Sequence, residues 1–318
     1  MSKLAFLFPG QGSQTAGMGK TLAAQFPAAR AVFEQADDAL GFAISELCFS
    51  GPDEALKLTE NTQPALLTVS VAAWRQLADL GYKPDYVAGH SLGEYSALVA
   101  AGSLDFADAV RLVRKRGQYM QAAVPPGIGA MAALLKLPEG RLDEILSAAA
   151  DSEVVSAANL NSPDQIVIAG HTGAVNRAVQ LAKAAGAKRA VLLPVSAPFH
   201  CALMRPAQEQ LKADLDATTF RDLSMPLVNN FEAREIRTGA EARAGLYEQV
   251  PNPVRWVESM RYLAAQGVTD AIEIGAGTVL KGLLKTIAPG IRCAIFGEAE
   301  DVANLPAVSR EAQTEPRA

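Results

Sequence analysis

Short apolar runs of strand character alternate with stretches of helical periodicity along the whole chain. That alternation most narrows the fold, because it is the pattern of an α/β protein built on a mainly parallel sheet. No fixed-period repeat competes with it. Leu4 to Phe8 reads as a buried strand ending in the turn Pro9 to Gln14, with a helix starting near Gly17. Asn61 or Thr62 is expected to cap a long helix with Pro64 in its first turn and Gly81 just past its end. Tyr86 to Ala88 is a short strand running into Gly89-His90-Ser91-Leu92-Gly93, then an Ala-rich helix through about Ala101. A helix over Phe106 to Ala123 follows, stopped by Pro125-Pro126-Gly127.

From Ile128 to Val195 the order is strand (Gly129 to Leu135), helix (Pro138 to Ala150), strand (Val154 to Ala158), strand (Gln165 to Ala169), helix (Thr172 to Ala185), strand (Arg189 to Val195). This βαββαβ string is the ferredoxin-like unit and is long enough for a small inserted domain. The expected division is therefore a discontinuous large subdomain, 1–126 and 198–318, interrupted by a small one, 127–197. In the returning chain, helices are expected near Ala202 to Asp216 and Val254 to Ala265, and a strand over Ala271 to Ile274 before Gly275-Ala276-Gly277. A lone G-x-G is a weak phosphate signature, so that tripeptide reads as a tight strand-to-helix turn. The polar stretch Glu298 to Ala318 is expected to fray.

Composition removes several function classes. With 318 residues, 49% hydrophobic and 20% charged, the chain buries a sizeable core and is not disordered. A net charge of -5 argues against nucleic-acid binding through a global positive field. The apolar run Leu4 to Phe8 is too short for a signal-peptide core or a membrane span, so a cytoplasmic protein with no membrane contact is expected. Cys48, Cys201 and Cys293 form no C-x-x-C pair, and His90, His171 and His200 show no zinc-binding spacing, so neither a disulfide framework nor a metal is expected. Nothing resembles a dimerisation seam, which leaves a monomer as the default.

Gly89-His90-Ser91-Leu92-Gly93 fits G-x-S-x-G, and it stands where a strand turns sharply into a helix. An ordinary glycine-rich turn is the plain alternative. In the functional reading Ser91 is a nucleophile held at a helix N-terminus, where backbone N–H groups favour developing negative charge. A serine nucleophile needs a base, and histidine suits proton transfer near neutral pH. His90 should point away from Ser91 and be structural. His171 reads as a surface-turn residue. His200, in Pro198-Phe199-His200, stands where the chain crosses back to the large subdomain, beside an interdomain cleft. On the helix Phe106 to Ala123, Arg116 shares the apolar stripe of Leu112, Val113 and Met120. A cation there needs an anion or several hydrogen bonds, and a structural ion pair and a ligand-binding role are equally good readings. A bound ligand would be a carboxylate, which the guanidinium fork pairs bidentately. Gln11, in the loop after the first strand, faces the same crevice, so its N–H could complete an oxyanion hole with that of Leu92.

Phe8-Pro9-Gly10-Gln11-Gly12-Ser13-Gln14, Gly89-His90-Ser91-Leu92-Gly93-Glu94-Tyr95, Arg116, Asn161-Ser162-Pro163 with Gln165, Phe199-His200 and Asn252-Pro253-Val254 with Trp256 occur in this order. Together they resemble the malonyl-CoA:acyl carrier protein transacylases of bacterial type II fatty-acid synthesis, over about residues 3 to 290. The resemblance implies an α/β-hydrolase-like large subdomain with an inserted ferredoxin-like one. It implies Ser91 as nucleophile, His200 as base and acid, Gln249 orienting His200 through its backbone carbonyl, and Gln11 and Leu92 as the oxyanion hole. It further implies Arg116, Met120, Asn159 and Phe199 around the acyl group. Malonyl-CoA would be substrate and not cofactor, no cofactor would be needed, and the partner would be acyl carrier protein. Such carriers are acidic, so docking needs a local basic surface, and Lys183, Lys188 and Arg189, flanking the cleft through the small domain, are expected to supply it.

Two positions depart from many relatives: Ala276 stands where Pro is common, and Phe199 where a small residue is common. A bulky ring beside the base would crowd an α-methyl branch, so malonyl is expected over methylmalonyl. The competing functions are a serine esterase or thioesterase, a catalytically silent scaffold that binds carrier proteins, and the acyl loader of a polyketide assembly line.

Overall fold

The computed structural model describes residues 2–195 and 197–306. Its strands are β1 (Lys3–Phe8), β2 (Tyr86–Gly89), β3 (Gly129–Leu135), β4 (Val155–Ser162), β5 (Gln165–His171), β6 (Arg189–Leu192), β7 (Leu227–Val228), β8 (Glu235–Ile236), β9 (Val268–Ile274) and β10 (Arg292–Phe296). Six form one sheet in the order β10-β9-β1-β2-β7-β8, parallel except for the antiparallel β7–β8 pair. Buried on both faces, β1 and β2 read as continuous apolar runs rather than alternating ones. Helices Thr59–Asp79 and Gly93–Ala100 cover one face, the latter buried along its whole length, and Trp256–Ala265 and Val279–Ile287 cover the other.

The remaining strands form an antiparallel sheet in the order β4-β5-β3-β6, the ferredoxin-like arrangement expected from the βαββαβ string. Side chains alternate along it. Ala132, Leu134 and Ile168 face helices Leu142–Ala150 and Thr172–Ala184, whereas Met131, Val167 and Ala169 join the core of the large lobe. The lobes are joined along β4: Val254 N–H donates to Ala158 O and Leu160 N–H to Val254 O, both at 2.9 Å. Where the small lobe begins, Gly129 packs so closely that a Cβ there would lie 2.3 Å from the Pro198 ring.

Several expected boundaries move. The long helix starts at Thr59 after Leu58, so neither Asn61 nor Thr62 caps it and Pro64 is its sixth residue. The Thr62 hydroxyl instead donates to Leu56 O at 2.6 Å. Proline at that position lies inside the helix and has no N–H to give the carbonyl of Glu60, four residues back. The helix expected near Gly17 begins at Lys20, that expected at Pro138 begins at Leu142, and β6 stops at Leu192. The expected fraying fails for Ala299–Asn304, a 3-10 helix held by Glu298, whose carboxylate accepts from Gly19 N–H at 3.0 Å and the Thr21 hydroxyl at 2.5 Å. Residues 307–318 of that stretch lie outside the described residues.

Candidate active site

Parallel pairing of β1 with β2 sets Phe8 opposite Gly89, so the loops carrying Gly10-Gln11 and Ser91-Leu92 leave the same sheet edge together. The turn after β2 needs its glycines. A Cβ on Gly89 would lie 1.9 Å from Gly93 C, and one on Gly93 would lie 2.0 Å from Phe8 O. Ser91 occupies the left-handed region with φ 50, directly before helix Gly93–Ala100. Left-handed backbone is strained for a residue with a Cβ and is held by the surrounding structure. The Ser91 N–H donates to Asn230 Oδ1 at 2.7 Å, whereas neither Gln11 N–H nor Leu92 N–H has a protein acceptor among the described residues.

His200 reaches the turn from the crossover after the small lobe, also at positive φ, 59. Its Nε2 lies 2.7 Å from Ser91 Oγ, and its Nδ1 lies 2.9 Å from Gln249 O. Gln249 ends helix Gly239–Gln249, so this acceptor is one of the carbonyls that a helix C-terminus leaves unpaired, at the negative end of its dipole. A proton on Nδ1 leaves the Nε2 lone pair facing Ser91. Burial first, then the nearby Arg116 charge, pulls the His200 pKa well below its usual 6.5, against the opposing pull of the Gln249 carbonyl. The imidazole is therefore neutral at neutral pH.

Arg116 is 2% exposed and has no ion-pair partner among the described residues. Among the described residues the structural ion pair weighed from the sequence is absent. Two neutral amides hold the guanidinium instead: one terminal nitrogen donates to Gln63 Oε1 at 2.7 Å, the other to Gln249 Oε1 at 2.9 Å and to Ser91 Oγ at 3.1 Å. Burial lowers its pKa, and Tyr95 and Glu94 counter that. A buried cation held by neutral groups keeps its field for an incoming anion.

Ser91, His200 and Arg116 line one cavity of about 250 Å³ between the two sheets, with Gln11, Leu92, Met120, Asn159 and Phe199 also in its wall. Gln249 stands behind it, wholly buried. His90 also borders the cavity, but its Nε2 lies 2.7 Å from Asn161 Oδ1, which joins the elbow to β4. His171 is not a loose surface-turn residue: it ends β5, and its Nδ1 accepts from Val154 N–H at 2.9 Å. Lys188 and Arg189, with Lys136, line a groove that shares Gln165, Val279 and Leu283 with the cavity, and Lys183 does not. Among the described residues no cluster of His, Cys, Asp or Glu is arranged to hold a metal, and no helix is long and apolar enough to cross a membrane.

The sequence reading did not single out Gln63, Asn230 or Glu94. Asn230 Nδ2 donates to Gly89 O at 2.7 Å, bracing the elbow from behind. Glu94 is wholly buried, and its Oε2 accepts from Asn230 N–H and from Gln249 Nε2, each at 2.9 Å. Burial pushes its pKa up to about 7. Its signal in the sequence is its place in the segment Gly89-His90-Ser91-Leu92-Gly93-Glu94-Tyr95, three residues after the candidate nucleophile, with no role attached.

Residues 5–313 match the acyl transferase domain family. The chain belongs to that family. Among curated proteins it is 50% identical over 304 residues to a malonyl CoA-acyl carrier protein transacylase of Escherichia coli, covering 95% of this chain and 98% of the relative. It is 49% identical over 303 residues to the protein of that name from Bacillus subtilis, covering 95% and 96%. Among solved structures, an acyl carrier protein S-malonyltransferase from Vibrio cholerae superposes with a TM-score of 0.93 at 45% identity, covering 95% of this acyl transferase and 99% of that chain. A malonyl-transacylase in complex with its type II PKS acyl-carrier protein gives the same TM-score and identity, covering 95% and 98%.

Proposed function

We propose that this acyl transferase moves a malonyl group from malonyl-CoA to the phosphopantetheine thiol of an acyl carrier protein, through a malonyl ester on Ser91, in fatty-acid synthesis. The observation that carries this reading is the shared environment of Ser91 Oγ, 2.7 Å from His200 Nε2 and 3.1 Å from Arg116. A nucleophile that close to an unneutralised guanidinium suits an acyl group ending in a carboxylate. A neutral-acyl esterase would have no use for that cation, and a silent scaffold no use for the dyad.

In the first half-reaction Ser91 Oγ attacks the thioester carbonyl and its proton passes to His200 Nε2. The N–H groups of Gln11 and Leu92 stabilise the oxyanion, each such donor typically worth about 3 kcal/mol of barrier. CoA leaves with the proton. In the second, the carrier thiol gives its proton to His200 and attacks the ester carbon, and Ser91 leaves as the alkoxide that recovers it. The Gln249 carbonyl takes the part of the aspartate in a Ser-His-Asp triad. The residues need no cofactor for these steps. Met120, Asn159 and Phe199 shape the acyl pocket, and the Phe199 ring disfavours an α-methyl branch. Comparable acylation by malonyl-CoA and methylmalonyl-CoA at equal concentration would contradict that preference.

The division into 1–126 with 198–318 and 127–197 accounts for a site built from both lobes. Lys188 and Arg189 are the docking groups for an acidic carrier, joined by Lys136 and not by Lys183. The reading includes a monomeric, cytoplasmic enzyme. The neighbour bound to a polyketide carrier supports loading of such a carrier as a second role for the same chemistry. Initial velocities with malonyl-CoA and holo carrier protein varied together should give parallel double-reciprocal lines. Intersecting lines would remove the Ser91 ester from the pathway.

A further inference from the structure

Among the buried titratable groups next to the catalytic residues, Glu94 is one to which the mechanism gives no task. Glu94 stands in the first turn of the helix that follows the nucleophile and is wholly enclosed. Only one of its oxygens is engaged. Oε2 accepts from Gln249 Nε2 and from Asn230 N–H, both at 2.9 Å, while Oε1 has no hydrogen-bond partner among the described residues.

The Gln249 carboxamide has two ends that exchange by rotation of its last torsion. Its nitrogen faces three oxygens: Glu94 Oε2, Ser91 O at 3.1 Å and Asn230 Oδ1 at 3.4 Å. Its oxygen faces Arg116 at 2.9 Å. A flipped amide would aim two donors at a guanidinium that can only donate, and an oxygen at three oxygens. Each of the three acceptors also takes another hydrogen bond, Ser91 O from Glu94 N–H, Asn230 Oδ1 from Ser91 N–H and Glu94 Oε2 from Asn230 N–H. Glu94 Oε2 is the one supplied by a carboxyl group, and it stands 2.9 Å away.

We propose that Glu94 is a positioning residue for acyl selection: its carboxyl fixes the Gln249 carboxamide with the oxygen toward Arg116, and so holds the guanidinium where it meets the carboxylate of the acyl group. The inference rests on the reading of Arg116 given above. It does not need Glu94 to be ionised, because a proton on the partnerless Oε1 leaves Oε2 free to accept both N–H groups. The histidine is fixed by a different atom of Gln249, its backbone oxygen, so Glu94 acts on selection more than on the dyad.

The test is the ratio of Ser91 acylation rates with malonyl-CoA and acetyl-CoA, each followed by intact mass, in wild type, Glu94→Gln, Glu94→Asp, Glu94→Met and Arg116→Ala. Glu94→Met removes the acceptor and should lower the malonyl-to-acetyl ratio about tenfold, the size of one hydrogen bond to a charged group. Glu94→Asp withdraws the carboxyl by one methylene and should lower it by at least about threefold, which carries the test if Glu94→Met does not fold. Glu94→Gln keeps a carbonyl oxygen for both N–H groups and should hold the ratio within about threefold of wild type. A purely structural role would lower both rates together and leave the ratio unchanged in every Glu94 variant, which would overturn the proposal. A ratio in Glu94→Gln as low as in Glu94→Met or Glu94→Asp would also overturn it. If Arg116→Ala alone collapses the ratio, only the inference about Glu94 fails. If Arg116→Ala leaves the ratio unchanged, the carboxylate-binding reading fails and the inference falls with it.

Discussion

At the scale of single residues, Arg116 does two things at once. In the proposed mechanism it offers an anion site, and its charge helps to hold His200 neutral. In the proposed mechanism His200 must be neutral to take the Ser91 proton, so activity should be lost as pH falls through its pKa. That pKa lies below 6.5, so the acid limb of kcat/KM should lie below the range of an ordinary histidine. Removing the positive neighbour raises it. Arg116→Ala, assayed with acetyl-CoA, should therefore show its acid limb at higher pH than wild type with the same substrate, and an unmoved or lowered limb would contradict the coupling. Ser91, His200 and Arg116 were legible because each carries a local signature: a G-x-S-x-G turn, a crossover histidine, a cation on an apolar stripe. Gln63, Asn230 and Glu94 were not, since their significance lies in contacts such as Glu94 with Gln249 that span 155 positions of the chain. Nothing local marks a buried amide that holds a guanidinium.

At the scale of elements, the site depends on the approach of β1, β2 and helix Gly93–Ala100. The glycines make that approach feasible. Gly89→Ala would drive a methyl group to within 1.9 Å of the Gly93 backbone, which cannot rotate away. It should cost about 3 kcal/mol or more, the upper end of overpacking. Urea denaturation measures this, and a variant within about 1 kcal/mol of wild type would contradict the packing account. Strand positions were readable from apolar runs, and the small lobe from its element order. The helix starts were less so. At the long helix the plausible caps Asn61 and Thr62 lie inside the helix, where their side chains bond to carbonyls of the preceding turn, Asn61 Nδ2 to Ala55 O at 2.9 Å. Helix Gly239–Gln249, which delivers the His200 acceptor, has little amphipathic contrast and went unread, although Thr238 and Glu241 form a capping box at its start.

At the scale of the whole molecule, the chain leaves the large lobe, builds a four-stranded sheet and returns carrying His200. Ser91 and Arg116 stand on the large lobe. The lobes are joined along β4, where Val254 bonds to Ala158 and Leu160 and His90 to Asn161, so the geometry that brings Ser91, His200 and Arg116 together is shared between lobes. That convergence is the central claim, and it is tested most directly by mass. Incubated with malonyl-CoA alone, the wild-type protein should gain one malonyl group, mapped by peptide analysis to Ser91, and Ser91→Ala should gain none. No adduct on wild type, or an equal adduct on Ser91→Ala, would contradict the account.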